Sequence, residues 1–232
     1  DGRLVRGEED VLNELDENAV EAAVALAEEA DGEVIALTMG PEDAEDGVRR
    51  ALQMGADSGV VVADDDLAGA DVVTTARVLA AAIERIGEVD LVVTGMASLD
   101  SMTSMLPGAL AAALHLPALT LANRLEVDGG AVTVTRTVGT VREVLSAPLP
   151  ALVSVTDQAN EPRYPNFAAM RAAKKKPIDF WDVSELGLQI AEPAVAVVDD
   201  EARPAREAGI IRTDAGEAGR ELAAWLVENK LV

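Results

Sequence analysis

"EVIALTMGPEDAEDGVRRALQMGADSGVVVA", residues 33–63, decides the fold class. Its first run, "EVIALTM" (33–39), is almost continuously apolar and is closed by Gly40-Pro41. Pro41 suits the first turn of a helix, where the N–H that proline lacks has no intrahelical partner anyway. Ala44, Val48, Ala51 and Leu52 then recur at helical spacing, and Gly55 marks the stop. "GVVVA" (59–63) is a second apolar run. Strands that do not alternate polar with apolar expect cover on both faces, so this stretch predicts a strand–helix–strand unit of a buried parallel sheet.

The same rhythm extends both ways. Residues 17–30 predict an amphipathic helix with Val20, Ala23, Val24 and Ala27 on one face, and 71–86 another with Val72, Ala76, Leu79, Ala80 and Ile83, ended by Gly87. "DLVVTG" (90–95) and "ALTLA" (118–122) are further strands, separated by a helix marked by Met102, Leu106, Ala109, Leu110 and Ala113. From 124 to 150 the pattern shifts to period two, with a turn at Asp128-Gly129-Gly130, which predicts an antiparallel excursion. "ALVSVT" (151–156) returns to the parallel sheet. The expected class is α/β, doubly wound, with helices on both faces of a mostly parallel sheet and right-handed crossovers. Residues 1–182 are read as the α/β domain. Residues 183–232, with a last helix near 214–229, are read as an arm that packs on something else, being too short for a core of their own.

Composition bounds the function. The 232 residues carry a formal charge of −23, with 42 acidic residues against 15 arginines and four lysines. A surface of that sign repels phosphates, which disfavours nucleic acid as a partner. Two readings remain, a basic partner steered by the field or a solvated surface in the salt-rich cytoplasm of a halophile, where screening relieves self-repulsion; scattered carboxylates with lysine nearly absent favour the second. The apolar runs are shorter than the roughly 20 residues of a membrane helix, and no signal peptide is visible. Without cysteine there are no disulfides or thiolate metal sites, and the single histidine leaves no His-rich site or ordinary Ser–His–Asp triad.

Open parallel sheets bind ligands beyond the carboxyl ends of their strands. "GMASLDSMTS" (95–104) lies at such an end. Its glycine permits close backbone approach, and Ser98, Ser101, Thr103 and Ser104 place hydroxyls near a helix start, a recipe for holding a phosphate or another small anion. Plain N-capping by Asp100 or Ser101 explains the same residues equally well. The dinucleotide and P-loop fingerprints do not occur. Asp64-Asp65-Asp66 reads as a solvated loop before a cation site, and His115, at the end of a helix, as structural before catalytic. No paired carboxylates or activated nucleophile stand out, so the sequence offers a nucleotide-sized site without reactive side chains.

"NEPRYPNFAAMRAAKKKP" (160–177) is unlike the rest. It holds Lys174, Lys175 and Lys176, and four of the chain's five aromatic residues, Tyr164, Phe167, Phe180 and Trp181, fall in or just after it. Two prolines keep its start stiff and non-helical, and a helix follows with Phe167 and Met170 projecting together. An interaction surface is favoured over a helix that tucks its aromatics into the core, because aromatics carry disproportionate contact energy and a basic spot orients a partner on an acidic protein.

At these residues the chain resembles the β subunits of electron transfer flavoproteins, from about Glu8 to Gly187. "NEPRYPNFAAMRAAKKKP" is similar to the signature that ends in a lysine run. "DLVVTGMASLDSM", "LNELDENAVEAAV" and "TMGPEDAEDGVRRALQMGAD" resemble further family segments in order. The resemblance implies an adenine-nucleotide-binding domain that pairs with an α subunit carrying most of one FAD and buries a structural AMP that is not turned over. By motif position, AMP contacts fall on Asn13, Glu14, Leu15, Asp16 and Met39, and on Gly95, Met96, Ala97, Ser98, Asp100, Ser101, Met102, Thr103 and Ser104. Partner docking falls on Glu161, Pro162, Arg163, Tyr164, Phe167 and Met170, with Phe167 as the apolar anchor for acyl-CoA-type dehydrogenases of fatty acid oxidation. The heterodimer is then a carrier without catalytic residues or a metal of its own, neither inserted in a membrane nor bound to nucleic acid, feeding a quinone-reducing acceptor. The absence of an aspartate–glycine–aspartate stretch after Leu99 favours AMP over a second FAD. The resemblance also implies an opening strand, mid-sheet and upstream of Asp1, without which the sheet has a gap. The alternative is a stand-alone adenine-nucleotide-binding regulator of the universal-stress type; a small-molecule hydrolase or transferase lacks a base.

Overall fold

The computed structural model describes residues 11–99, 102–191, 193–195, 198, 199, 201–206, 209, 211 and 213–232. The chain divides into two compact units, one ending at Val198 and the other spanning Asp199–Val232. The larger unit runs α1 (Glu14–Ala30), β1 (Ile35–Met39), α2 (Glu45–Met54), β2 (Ser58–Val62), α3 (Val72–Ile86), β3 (Leu91–Gly95), α4 (Leu106–Ala113), β4 (Ala118–Ala122), β5 (Arg124–Asp128), β6 (Ala131–Val138), β7 (Val141–Pro148), β8 (Ala151–Val155), α5 (Phe167–Ala173) and β9 (Ile178–Trp181). The smaller unit contains α6 (Ala218–Glu228). The α/β class, with parallel strands flanked by helices and one antiparallel sheet, is the expected one.

The parallel strands form two ladders, β1-β2-β9 and β3-β8-β4, while β5-β6-β7 is antiparallel. β1 and β3 therefore each end a ladder. Central β2 and β8 are buried along nearly their whole length, whereas β1 and β3, Gly95 apart, are only partly covered. Both ladders belong to one layer, because helices span them. On one face, Ala76, Leu79 and Ala80 of α3 pack with Leu37 and Met39 of β1 and with Val92 of β3 and Leu152 of β8. On the other, Ala19 and Ala22 of α1 pack with Val153 and Val155 of β8, and Val20 of α1 joins Val48, Ala51 and Leu52 of α2. Burying such a valine or leucine contributes about 1.5–3 kcal/mol.

Several elements differ from the sequence pattern. α1 begins at Glu14 and buries Asn18, Ala19, Ala22 and Val24, because it is wedged between two clusters and not laid on one face. α4 begins only at Leu106, since Met102 and Ser104 hold left-handed φ angles of 49° and 52°. Leu121, inside β4, has φ 62°; the ladder shifts register there, and the buried Ser154 hydroxyl accepts its N–H at 2.9 Å. β9 has no counterpart among the expected strands. It has four residues and alternates little, but it pairs in parallel with β2, Gly59 opposite Ile178.

Lys176 explains how β9 is delivered. Its ammonium donates to the carbonyl oxygens of Leu52 and Gly55, each at 3.3 Å, and to that of Ala56. These are C-terminal carbonyls of α2 and its exit, which a cation satisfies and whose dipole it favours. One of the three clustered lysines is thus a helix cap, while Lys174 and Lys175 are exposed. Beyond β9, Val183, Leu186, Leu188 and Ile190 pack on Val60, Val62, Val78 and Ala82, so the first residues of the arm read from 183 onward lie in the core of the larger unit. Arg85 holds this turn: its guanidinium sits 4.4 Å from the Trp181 ring centroid and donates to the Glu185 carbonyl at 2.9 Å. α6, considered within its own unit, has no buried residue and exposes Leu222.

Replacing Lys176 by methionine keeps the stem and removes the charge, leaving α2's final carbonyls without that donor. It is expected to lower the unfolding free energy by about 1–2 kcal/mol, read from urea denaturation.

Candidate functional site

The first turn of α1 meets the carboxyl end of β3. Asn13 opens the helix, its carbonyl accepting the N–H groups of Asp16 and Glu17 at 2.8 and 3.1 Å. Its side-chain amide donates to Asp16 Oδ2 at 2.9 Å and to the Ala97 carbonyl at 3.1 Å. The other oxygen of Asp16 accepts the Gly95 N–H at 2.9 Å. Gly95 is required here: a Cβ would lie 2.6 Å from Asp16 Oδ1 and 2.7 Å from the Leu15 carbonyl. Asn13 Oδ1 is buried and, among the described residues, has no hydrogen-bond partner. A buried acceptor left unpaired costs about 1–3 kcal/mol.

Of the nucleotide-contact residues expected from motif position, Asn13, Asp16, Gly95 and Ala97 are joined directly by these bonds. Leu15 abuts Gly95 through its backbone, and Glu14 is exposed. Met39 ends β1 packed under α3, and Met96 is half-buried next to Gly95. The Met102 N–H donates to the Ser98 carbonyl at 2.9 Å, closing a turn, after which Met102, Thr103 and Ser104 are exposed. Asp100 and Ser101 lie outside the described residues, and the residue at the start of α4 is Met105, which makes no side-chain cap. Two non-glycine residues with positive φ within three positions carry strain of order 1–2 kcal/mol each, the kind of outlier that gathers at binding sites.

The start of the 160–177 stretch, Asn160 to Arg163, bonds to α1, and its end reaches α2 through Lys176. Asn18 and Asn160 bond reciprocally: Asn18 Nδ2 donates to the Asn160 carbonyl at 3.0 Å, and Asn160 Nδ2 to the Asn18 carbonyl at 2.9 Å. Arg163 reaches Glu21 from Nε at 2.8 Å and Nη2 at 3.1 Å, and Glu28 from Nη1 at 2.6 Å and Nη2 at 3.1 Å. Those bonds hold the Glu28 carboxyl below the usual carboxylate range and push the guanidinium further up. Pro165 is buried, and Asn166 caps α5 by accepting the Ala169 N–H at 2.9 Å. On this pinned segment Tyr164 is 88% exposed, Phe167 91% and Met170 41%, while Glu161 is exposed and Pro162 half-buried. Arg50, paired with Glu17 at 3.0 Å, lies 5.4 Å from the Tyr164 ring centroid. A shallow groove of about 460 Å³ runs beside Phe167, Arg171 and Lys175. Asn18, Glu21, Glu28 and Arg50 do not stand out in the sequence, although the first three form a polar stripe on α1 opposite its small apolar residues.

The remaining candidates are structural. Asp64 accepts the Asp66 N–H at 3.0 Å and the Val183 N–H at 3.2 Å, tying the turn after β2 to the segment after β9. No grouping of metal-ligating side chains occurs among the described residues. His115 takes φ 56° directly after α4, the left-handed position that ends a helix.

Residues 1–186 match the electron transfer flavoprotein domain. The chain is 37% identical over 232 residues to an electron transfer flavoprotein subunit beta of Mycobacterium tuberculosis, covering 96% of this chain and 87% of that one. It is 33% identical over 224 residues to the same subunit of Bacillus subtilis, covering 95% and 87%. It is also 34% identical over 189 residues to the caffeyl-CoA reductase-Etf complex subunit CarD of Acetobacterium woodii, covering 81% and 72%. The chain belongs to the electron transfer flavoprotein β-subunit family. With that family come a carrier role, the involvement of a flavin and an α-subunit partner, which decides against the stand-alone regulator.

Gly95→Ala is expected to force α1's first turn away from β3. The variant should unfold at lower urea, with a loss of about 1–3 kcal/mol, and should exchange the amides of residues 14–17 faster.

Proposed function

We propose that this chain docks acyl-CoA-type dehydrogenases on the Tyr164–Phe167 surface, keeps a structural AMP where α1 meets β3, and pairs with an α subunit that carries most of one FAD. The observation that carries this reading is an aromatic side chain, Phe167, 91% exposed on a segment tied down by side-chain bonds to α1. A water-exposed phenylalanine on a rigid support costs little further entropy when buried by a partner.

The α1–β3 junction fits an adenylate. Asn13 Oδ1 is an unpaired acceptor for an N–H such as the adenine amine, and the left-handed Met102 and Ser104 lie in the loop that follows β3. Bound FAD supplies one-electron transfer; the residues of this chain bind, orient and dock. Electrons then pass to a quinone-reducing acceptor. Of the arm expected over 183–232, α6, with its exposed Leu222, is read as the part that packs on the α subunit.

The dispersed charge of −23 supports a cytoplasm of high salt. The midpoint of thermal unfolding should rise as potassium chloride is raised to molar concentration; highest stability in dilute buffer would remove that reading. Mass analysis of small molecules released from the α/β complex should find FAD and AMP, and a second FAD in place of AMP would refute the structural nucleotide. Phe167→Ala should slow flavin reduction by an acyl-CoA dehydrogenase at least several-fold with FAD content intact. Loss of flavin in that variant would show that Phe167 supports the fold.

A further inference from the structure

We infer that Arg163, clamped between Glu21 and Glu28 of α1, is the positioning residue of the docking surface. The inference rests on the docking reading above and names what holds that surface in shape.

Glu21 and Glu28 stand seven residues apart on α1, so they share a face about two turns apart. The guanidinium lies between them and gives each carboxylate two hydrogen bonds, between 2.6 and 3.1 Å. The backbone N–H of Arg163 adds another to Glu21 Oε2 at 2.9 Å. Such a doubly bidentate arrangement needs the flat five-donor fork; an ammonium presents a point charge and cannot serve four oxygens at once. The Arg163 and Glu21 side chains retain 32% and 14% exposure, so salt screens this pair less than one in open water.

The clamp acts where it matters for docking. Tyr164 is the next residue, its ring set against Arg50, and Phe167 opens α5 three residues later, directly after the capping Asn166. Both side chains point outward, with exposures near 90%, and Arg50 lies beside the Tyr164 ring. Their direction is therefore set by the backbone beneath them, and that backbone is held at Asn160 by Asn18 and at Arg163 by the two carboxylates. Ordering a loose loop at the moment of association costs affinity for every side chain immobilised; this loop is ordered beforehand.

The test uses the complete FAD-loaded α/β complex and an acyl-CoA dehydrogenase. Glu21→Gln/Glu28→Gln and Arg163→Lys each leave the aromatics in place and remove the fork. Both are expected to raise the apparent KM for the carrier three- to tenfold with kcat within twofold, and to leave dithionite reduction of the flavin unchanged. Glu28→Gln alone, at the more exposed end, should give a smaller rise and covers the case of a double variant that misfolds. Adding Phe167→Ala to the double variant should raise KM no further than Phe167→Ala does alone. An unchanged KM in both fork variants, while Phe167→Ala raises it, overturns the clamp and spares the docking reading. An unchanged KM in Phe167→Ala overturns both. Flavin loss or slowed dithionite reduction in the fork variants would overturn positioning in favour of general support of the fold.

Discussion

Everything in the larger unit is arranged around the approach of α1 to the end of β3. The absence of a Cβ at Gly95 lets the Leu15 carbonyl and Asp16 come within what would otherwise be a clash, and the Asp16 carboxylate then accepts the Gly95 N–H. With its first turn fixed there, the helix lays the small Ala19 and Ala22 against β8 and leaves its polar side to Asn160 and Arg163. One helix so touches both regions of functional interest: its start borders the unpaired Asn13 oxygen, and its flank carries the segment that displays Phe167. The rigidity of the helix between them links the two regions.

The cluster of lysines and aromatics divides its labour. Lys176 closes α2 and sets β9 beside β2, whereas Lys174 and Lys175 remain in solvent. Trp181 packs over the core beneath Arg85, whereas Tyr164 and Phe167 stand almost fully exposed. A residue cluster that looks uniform in composition therefore serves the fold at its C-terminal end and the surface at its N-terminal end. The switch occurs within one short helix, because α5 buries Ala173 on one side and nothing on the side that bears Phe167. A carrier subunit suits such an arrangement.

Much of this was legible in residue order. The apolar runs at 33–39, 59–63 and 90–95 became strands of parallel ladders to within one or two residues, Gly55 and Gly87 ended α2 and α3, and the two-residue alternation past Arg124 became β5, β6 and β7. Periodicity reports such elements because burial of one face is a local pattern. It failed where backbone conformation or a remote partner decided the outcome. Left-handed Met102 and Ser104 postponed α4 to Leu106, and four residues of β9 gained strand structure only by pairing with β2, some 120 positions earlier. The motif loops were placed correctly at the ends of β3 and β8, but which of their atoms bond was not visible.

Composition and order alone determined the α/β class, the positions of most strand ends, and the resemblance that family membership bore out, since each depends on patterns a few residues long. Tertiary structure alone decided that the parallel layer is two ladders, that Lys176 belongs to α2, and that Arg163 answers two carboxylates on α1. The physical reason is common to all three: a hydrogen bond to a distant segment leaves no periodicity in the segment that makes it, and only folding brings donor and acceptor within about 3 Å.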